Sequence, residues 1–540
     1  MAPRATGAPA GGILIRKRVV LGLLLAALFT LGWWVGRGGA SGDLYGNLDL
    51  FVEIVHKVEQ NYVDPVQPEQ LVDGALKGMM RTLDPYSQYL SAKDFANLKT
   101  TTEGTFGGIG VVVSVRENYP TVISPIEGSP AFLAGLRSGD QIVKVDGKST
   151  AGLTIDDAAE RLRGPEGTKV TITVRREGDS AERDVTLERK IIVTHSVPYA
   201  FVVGDGVGYL RLASFAEQSG AEVRAALDRL RSEGAKSAVL DLRQDPGGLL
   251  EQAVDVAGEF LPKGTQVVQT RGRMRGQDQR YSTTEAGPER RWPLVVLVDQ
   301  GSASASEIVA GALQDLDRAL LIGRTTFGKG LVQTVFPLRG TDAALKLTTA
   351  RYYTPSGRSI HRAAHDTLAR DEEDDGGDEA PAPADTAAPK HFRTAGGRSV
   401  YGGGGITPDL VVLADSLPPL TLEVERLGLP FRFANRWVNT HPGATAAATL
   451  PDGMWEDFTV FLSGEKVKSD AKSLAAERDP LRRALRRELA RRVSGDTAAA
   501  RVALEGDVLF ARALKILARA KSPADVFSAA GVETPRAGAR

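Results

Sequence analysis

The stretch "DQGSASASEIVAGALQD", residues 299–315, follows the apolar run "PLVVLV" and carries a serine at every second position. A buried run followed by an alanine-rich run predicts a β-strand, a tight turn and an α-helix. Ser304 and Glu307, three residues apart, fit a capping box at the start of that helix. A serine in this position is also a candidate nucleophile, because helix amides beside it can stabilise an oxyanion. The stretch alone leaves both interpretations open.

The surrounding sequence places this stretch in an α/β domain. From about residue 199, short apolar runs such as "GYLRLASF", "SAVLDLR" and "ALLIG" alternate with segments of helical spacing. Such alternation predicts a sheet covered by helices. We therefore expect residues 191–412 to form one α/β core.

The hydrophobic pattern of the remaining sequence divides it into further domains. Residues 44–103 have helical spacing, residues 104–190 consist of short alternating runs typical of β-strands, and residues 413–540 are mostly helical in pattern. Residues 363–390 are acidic and rich in proline and alanine, with almost no large apolar side chain. A segment of that composition cannot bury enough surface to fold, so we expect a disordered insertion there.

An apolar stretch near the N-terminus indicates a membrane anchor. Residues 19–36 are apolar and follow Arg16, Lys17 and Arg18. Their length nearly matches the hydrocarbon core, and the basic flank predicts that residues 1–18 are cytoplasmic. We expect a transmembrane signal anchor at the cell membrane, with the body of the protein on the periplasmic or extracytoplasmic side. Cleavage near the small residues at 38–40 is the alternative.

The composition excludes several classes of chemistry. Lysine plus arginine and aspartate plus glutamate number 67 each, so the net charge gives no reason to expect a nucleic-acid partner. There is no cysteine, which excludes disulfides, a thiol nucleophile and cysteine-ligated metals. None of the six histidines lies in a pattern typical of a histidine-assisted hydrolase or a metal site. We expect neither a metal nor another cofactor.

The stretch "GRTTFGKG", residues 323–330, matches the first part of a phosphate-binding loop. In such a loop a serine or threonine follows the lysine and a helix begins there, whereas here Gly330 follows and the continuation is typical of a strand. Nucleotide binding is therefore disfavoured. Lys329 has apolar neighbours, Phe327 and Leu331, and an amine in an apolar cleft can become a usable base.

Taken together, "DLRQDPGGLL" (241–250), "GSASASEIVAGALQD" (301–315) and "GRTTFGKGLVQ" (323–333) resemble the motifs of the carboxyl-terminal processing proteases, the tail-specific serine peptidases. "TLDPYSQYL" (82–90) belongs to the same resemblance, which covers about residues 45–412. It implies a crotonase-like protease core with an inserted PDZ module, an N-terminal helical domain and a helical C-terminal region. It also implies a serine endopeptidase that processes or degrades exported proteins.

The resemblance assigns roles within this core. It implies that Ser304 is the nucleophile, Lys329 the general base and Gln333 the residue that orients the lysine amine. Backbone N–H groups form the oxyanion hole in this family, which points to Ala305 and to the turn at Gly247 and Gly248.

One residue of that turn departs from the family pattern. The family usually has asparagine before the Pro-Gly-Gly sequence, and this chain has Asp245. The departure affects the hydrogen bonding of the turn and leaves its main-chain donors in place.

Residues 104–190 resemble a PDZ domain through "FGGIGVVV" (106–113) and "SPAFLAGLRSGDQIVKVDG" (129–147). The resemblance implies that a peptide carboxylate binds at the loop formed by Gly108, Ile109, Gly110 and Val111. It also implies that Arg163, in "LRGPEGT", couples the loaded module to the protease site. The alternative is that these glycines only form a turn.

The resemblance also implies the partners. We expect protein or peptide substrates with free, apolar C-termini, and the resemblance suggests a homodimer and an activating adaptor as further partners. A different class of function remains open, namely a PDZ adaptor that binds protein tails on a protease-like scaffold without cutting them.

Overall fold

The computed structural model describes residues 41–176, 181–285, 287, 291–362, 390–413, 416–441, 443–445 and 449–535. The chain forms two compact units, one up to Leu83 and one from Asp84 onward. In the first unit the described elements are helices α1 (Ser41–Asn61) and α2 (Pro68–Arg81). Residues 84–103, expected to be helical like the rest of this domain, belong to the second unit and contain a short strand, β1 (Gln88–Leu90), and helix α3 (Ala92–Glu103).

The region predicted to be the PDZ module is a small β-domain. Its elements are β2 (Thr105–Gly108), β3 (Val111–Arg116), β4 (Tyr119–Pro125), α4 (Pro130–Leu133), β5 (Gln141–Val145), β6 (Lys148–Ser149), α5 (Ile155–Leu162), β7 (Lys169–Arg175), β8 (Arg183–Glu188) and β9 (Lys190–Val193). The main sheet has the order β3-β4-β5-β7-β8, with β6 paired to β5. Strands β2 and β9 pair separately, so the two ends of the module lie side by side, as an inserted domain requires.

The region predicted to be the α/β core is built on a six-stranded sheet. Its elements are β10 (Tyr199–Val203), β11 (Val207–Arg211), α6 (Ser219–Ser232), β12 (Ser237–Asp241), α7 (Leu250–Gly258), β13 (Gln266–Gly272), β14 (Gln279–Ser282), β15 (Leu294–Val298), α8 (Ala305–Asp315), β16 (Leu320–Gly323), β17 (Leu331–Pro337), β18 (Ala344–Tyr353), β19 (Lys390–Arg393), β20 (Ser399–Gly402) and β21 (Leu410–Val411).

The order in this main sheet is β10-β11-β12-β15-β16-β21, parallel from β11 onward. A second sheet has the order β1-β18-β13-β14, and β17 pairs with β18. All five residues of β12 and all five of β15 are buried, as expected for parallel strands covered on both faces. The predicted α/β core is confirmed.

Helices cover both faces of the main sheet. One face packs against α6, α7 and α8. The opposite face packs against the last helices of the chain, α14 (Asp496–Leu504), α15 (Val508–Leu517) and α16 (Asp525–Ala530). The preceding helices form a separate apolar cluster and are α9 (Pro419–Arg426), α10 (Leu429–Thr440), α11 (Met454–Ser463), α12 (Ala471–Ala476) and α13 (Arg478–Ser494). The C-terminal region is therefore helical, as predicted, and its last part belongs to the core.

The expected placement in the cell membrane is corrected. Among the residues that the structure describes, no helix is long and apolar enough to cross a membrane. This finding contradicts the predicted single-pass location with an extracytoplasmic catalytic part. Residues 1–18 and 19–36, on which that prediction rested, lie outside the described residues, as do residues 363–389 of the predicted acidic insertion.

The packing of α15 on the sheet gives the first prediction. Phe510 is buried and meets the ring of Tyr209 on β11 edge to face at a centroid distance of 5.4 Å. Replacing Phe510 by alanine should leave a cavity and lower the free energy of unfolding by about 3–5 kcal/mol, measured by chemical denaturation. Val508→Ala, at an exposed position of the same helix, is the control and should change it by less than about 1 kcal/mol. A Phe510→Ala variant as stable as the control would show that α15 does not belong to the core.

Candidate active site

Three loops that follow neighbouring parallel strands build the site. They are residues 242–249 after β12, residues 299–304 after β15 and residues 324–330 after β16. Because the carboxyl ends of adjacent parallel strands lie at one edge of a sheet, the three loops meet there. The predicted nucleophile, the predicted base and the predicted oxyanion turn each lie on one of them.

The structure separates the three serines of the second loop. The hydroxyl of Ser302 donates to the carbonyl oxygen of Leu242 at 2.8 Å, and the hydroxyl of Ser306 donates to the carbonyl oxygen of Asp245 at 3.0 Å. Both serines are fully buried and serve to tie the loops together. Ser304 instead precedes α8 directly, with φ 55° and ψ −113°. A residue with a side chain rarely adopts this conformation, and such strain is concentrated at functional sites.

The carboxylate of Glu307 joins the loop of Ser304 to the loop of Lys329. Its Oε2 accepts the backbone N–H of Ser304 at 2.9 Å and that of Lys329 at 2.8 Å. Its Oε1 accepts the N–H of Gly328 at 2.8 Å and the hydroxyl of Thr326 at 2.5 Å. Glu307 is fully buried, and burial raises its pKa while the four hydrogen bonds act in the opposite direction. Four donors around one carboxyl group match the acceptor-only character of the ionised form.

The environment of Lys329 favours an uncharged amine. Burial lowers the pKa of Lys329 to about 8, the nearby ammonium of Lys346 contributes to the decrease, and Glu307 and Asp84 act against it. The amine lies 5.0 Å from the centre of the Tyr86 ring. A lysine with a pKa near 8 is partly neutral at physiological pH, as a general base must be.

The hydroxyl of Tyr352 connects the same two loops through their backbone carbonyl groups. Its hydroxyl contacts the carbonyl oxygen of Ser304 at 3.2 Å and the carbonyl oxygen of Lys329. Tyr352 lies on β18 and is buried, and burial raises its pKa, so the phenol stays protonated. Together with Glu307 it fixes both the amide and the carbonyl groups of Ser304 and Lys329.

Gln333 lies on β17, and the structure places its side chain beside Thr348. Its Nε2 donates to the Thr348 hydroxyl at 3.4 Å, and that hydroxyl donates to Asp84 at 3.2 Å. Asp84 is one of the charges that act on Lys329. Gln333 is thus connected to the lysine through Thr348 and Asp84.

The glycine turn lies against the nucleophile loop. Gly247 has φ 91°, and a side chain there would come within 2.8 Å of the Ala305 nitrogen and 2.6 Å of the Ala303 carbonyl oxygen. The N–H of Gly247 donates to the Asp245 side chain at 2.9 Å. The N–H of Gly247 is therefore not available to an oxyanion. The N–H groups of Gly248 and Ala305 donate to no acceptor among the described residues, so these two predicted donors are available.

The predicted carboxylate loop of the small β-domain is built as a turn with an open edge beside it. Gly110 has φ 75°, and its carbonyl oxygen accepts the N–H of Ile126 and the hydroxyl of Ser129, both at 2.9 Å. Ile109 is buried, and Gly108 ends β2. Val111 begins β3, and among the strands that the structure describes β3 pairs only with β4. The second edge of β3 is thus available for an added strand.

Arg163, the predicted switch residue, lies beside the small β-domain and α3. Its guanidinium stacks over the Phe106 ring at 4.9 Å, and its Nη1 is 3.4 Å from the side-chain oxygen of Asn97. No contact to Ser304 or Lys329 is found for it among the described residues. Its regulatory role stays a prediction.

Four parts of this site were not predicted from the sequence. Glu307 was expected only as a partner in a capping box, and no role was expected for Tyr352, Lys346 or Asp84. The position of Glu307 one turn after Ser304 was the available signal, whereas the other three come from strands or turns distant in the sequence. Among the described residues no group of histidine, aspartate and glutamate side chains could hold a metal ion.

Matches to models of known families identify the class of protein. Residues 206–368 match the model of peptidase family S41, residues 121–176 match a PDZ domain, and residues 43–94 match the N-terminal domain of the activating protease CtpB. The fold and these matches define a serine-type peptidase that carries a PDZ domain.

Individual relatives then give the family. The carboxy-terminal-processing protease of Bartonella bacilliformis is 44% identical over 322 residues, which cover 59% of this chain and 73% of the relative. The corresponding protease of Synechocystis is 40% identical over 312 residues, 56% of this chain and 72% of the relative. The chain belongs to the carboxy-terminal processing proteases. A solved structure with the name photosystem II D1 C-terminal processing protease is 28% identical, covers 67% of this chain and 92% of its own, and has a TM-score of 0.35.

The four hydrogen bonds that Glu307 accepts connect the loops of Ser304 and Lys329, and we call this arrangement the Glu307 clamp. It gives the second prediction. In Glu307→Gln an amide NH₂ replaces one acceptor oxygen, so buried backbone N–H groups lose their partner at a cost of about 1–3 kcal/mol each. Chemical denaturation should show a lower free energy of unfolding. Thr326→Val removes one of the four donors to Glu307 and the acceptor of the Ile406 N–H. It should cost less, because the three backbone N–H groups that bind Glu307 keep their partner. A Glu307→Gln variant no less stable than Thr326→Val would contradict the clamp.

Proposed function

We propose that this protease cleaves peptide bonds with Ser304 as the nucleophile and Lys329 as the general base. The observation that carries the proposal is the shared anchoring of both residues on the Glu307 carboxylate, at 2.9 and 2.8 Å. Two loops that are 25 positions apart in sequence are thereby held as one unit. A serine hydroxyl is a weak nucleophile until a positioned base accepts its proton, and a lysine can be that base.

The proposed reaction has two halves. Neutral Lys329 accepts the hydroxyl proton of Ser304 as the serine oxygen attacks the peptide carbonyl, and then gives that proton to the leaving amine. The carbonyl carbon is left as an ester of Ser304. Water, deprotonated by the same lysine, breaks this ester and restores the hydroxyl.

Backbone amides stabilise the oxyanion in this scheme. Ala305 begins α8, so its N–H lies at the positive end of the helix, and the N–H of Gly248 comes from the adjoining turn. Donors fixed in a buried site need no rearrangement when the charge develops, which is the main source of their effect. Gln333 has a positioning role in the proposal, through Thr348 and Asp84.

The PDZ domain supplies substrate selection in the proposal. The exposed edge of β3 can add a peptide as a further strand, and the loop before it offers backbone N–H groups to a terminal carboxylate. Large apolar side chains such as Val112 and Val115 are exposed on β3 itself. Proteins or peptides with a free, apolar C-terminus are the substrate class that this edge fits. A homodimer and an activating adaptor remain expectations from the family resemblance.

Removing either dyad residue gives the third prediction. Ser304→Ala and Lys329→Ala should each lower kcat/KM for an unfolded protein with an apolar tail by about 10³-fold or more, measured by cleavage followed on gels. Ser302→Ala and Ser306→Ala are matched controls on the same loop and should keep activity within about ten-fold.

Two outcomes would contradict this assignment. Retained cleavage in Lys329→Ala would exclude the dyad. An intact substrate with the unmodified protein would favour the non-cleaving adaptor, which binds tails through the PDZ domain alone.

Blocking the substrate terminus gives the fourth prediction. Amidation removes the carboxylate that the loop at Ile109 and Gly110 is proposed to bind, so KM should rise by about ten-fold or more while kcat at saturation changes little. Kinetics on paired peptides, identical except for a free or amidated end, measure this. Equal KM values for the two peptides would show that the carboxylate is not recognised.

A further inference from the structure

Asp245 is a buried carboxyl group that the proposed mechanism does not use. Its side chain is fully buried, and Oδ1 accepts the N–H of Gly247 at 2.9 Å. Its second oxygen, Oδ2, is also buried and has no hydrogen-bond partner among the described residues. A buried carboxylate oxygen without a partner costs free energy that the protonated acid avoids.

The position of Asp245 connects it to the oxyanion donors. Its backbone carbonyl oxygen accepts the N–H of Ala303 at 2.9 Å and the hydroxyl of Ser306 at 3.0 Å, on either side of the nucleophile. Its side chain accepts the N–H of Gly247, two residues on, and a side chain at Gly247 would come within 2.8 Å of the Ala305 nitrogen. The carboxyl group is therefore hydrogen-bonded to the residue that precedes the Gly248 amide.

The charged groups around this turn are already engaged with other partners. Arg211 acts on Asp245, but its guanidinium is bound to Asp241 at 3.2 Å. Arg243 binds Asp241 at 2.6 Å and Asp507 of the C-terminal region at 2.6 Å. Among the acidic groups of the adjoining elements, Asp299 accepts from Gln244 and Glu307 accepts from the loop of Lys329. The amine of Lys329, a basic group on the third loop, lies 5.0 Å from the centre of the Tyr86 ring.

Burial dominates the ionisation of this group. It raises the pKa of Asp245 to about 7, although the hydrogen bond from Gly247, the contact with Ser306 and the charge of Arg211 act against the increase. Near neutral pH the acid and its anion are therefore both present.

We infer that Asp245 is a positioning residue of the oxyanion turn that works as the neutral acid, and that its ionisation switches the peptidase off. The inference rests on the proposed function, in which the amides of Ala305 and Gly248 hold the oxyanion. The carbonyl oxygen of the neutral acid accepts from Gly247 and shapes the turn. The anion keeps that hydrogen bond but adds a negative charge behind the donors that must stabilise another negative charge.

Two opposing ionisations then control the rate. Lys329 must lose its proton, which favours high pH, and Asp245 must keep its proton, which favours low pH. Because the pKa of Asp245 is about 7 and that of Lys329 about 8, the form with both groups active is a minor one. The rate should follow a narrow bell-shaped curve with its maximum between these values.

The decisive experiment compares Asp245→Asn with the unmodified protein in kcat from pH 5 to 10. Asparagine keeps an oxygen acceptor for Gly247 and cannot ionise. The variant should lose the alkaline decrease and reach a plateau above pH 8. At pH 8, one unit above the pKa of Asp245, its kcat should exceed that of the unmodified protein by about ten-fold, with KM unchanged.

Controls separate this inference from the proposed function. Ser304→Ala provides the uncatalysed background; activity in that variant would overturn the dyad, whatever Asp245 does. If Ser304→Ala is inactive but the unmodified protein shows no alkaline decrease, the inference about Asp245 is overturned without any variant of that residue. The same holds if the decrease persists in Asp245→Asn, or if that variant is inactive at every pH although denaturation shows it to be folded.

A stability measurement provides a readout independent of catalysis. Because the pKa of Asp245 is raised above its unfolded value, the stabilisation from its proton is present at low pH and is lost as the pH rises through about 7. Midpoints of denaturation for the unmodified protein should therefore fall between pH 5 and 8 relative to those of Asp245→Asn. Parallel midpoints across this range would show that Asp245 is not a neutral buried acid, and would overturn the inference.

Discussion

The carboxylate of Glu307 is the contact on which the geometry of the site depends. It is fully buried at the start of α8 and collects N–H groups from the loops of Ser304 and Lys329. A buried charge is tolerated only where it is well hydrogen-bonded, so the fold must supply these donors in fixed places. The hydrogen bonds that the buried Glu307 carboxyl group needs therefore also set the relative position of the two loops.

The same region shows how burial sets the charge of neighbouring groups in opposite directions. Burial lowers the pKa of Lys329 and raises the pKa of Asp245, and both changes favour the uncharged forms. Burial also raises the pKa of Glu307, and four hydrogen bonds act against that increase. The pKa of a buried group thus depends on the hydrogen bonds that neighbouring loops offer it. The edge of a parallel sheet provides such loops next to one another.

The sequence predicted the α/β core, the helical C-terminal region and the segments that meet at the site, because strand and helix periodicity and three short motifs are local signals. It could not show the link from Gln333 through Thr348 to Asp84, since that link joins three distant segments. It also suggested Gly247 as an oxyanion donor, and only the structure shows that its amide is occupied by Asp245. The predicted membrane placement was wrong, because none of the described helices is long and apolar enough to cross a membrane.

The C-terminal helices have a consequence for the definition of the catalytic domain. Residues of β11, β15 and β16 pack directly against α15 and α16, and Asp507, which caps α15, binds Arg243 beside the oxyanion turn. The smallest autonomous folding unit therefore extends well past the segment that carries the family motifs. Any relative that lacks these helices must cover the same face of its sheet by other means, such as another chain segment or a subunit contact.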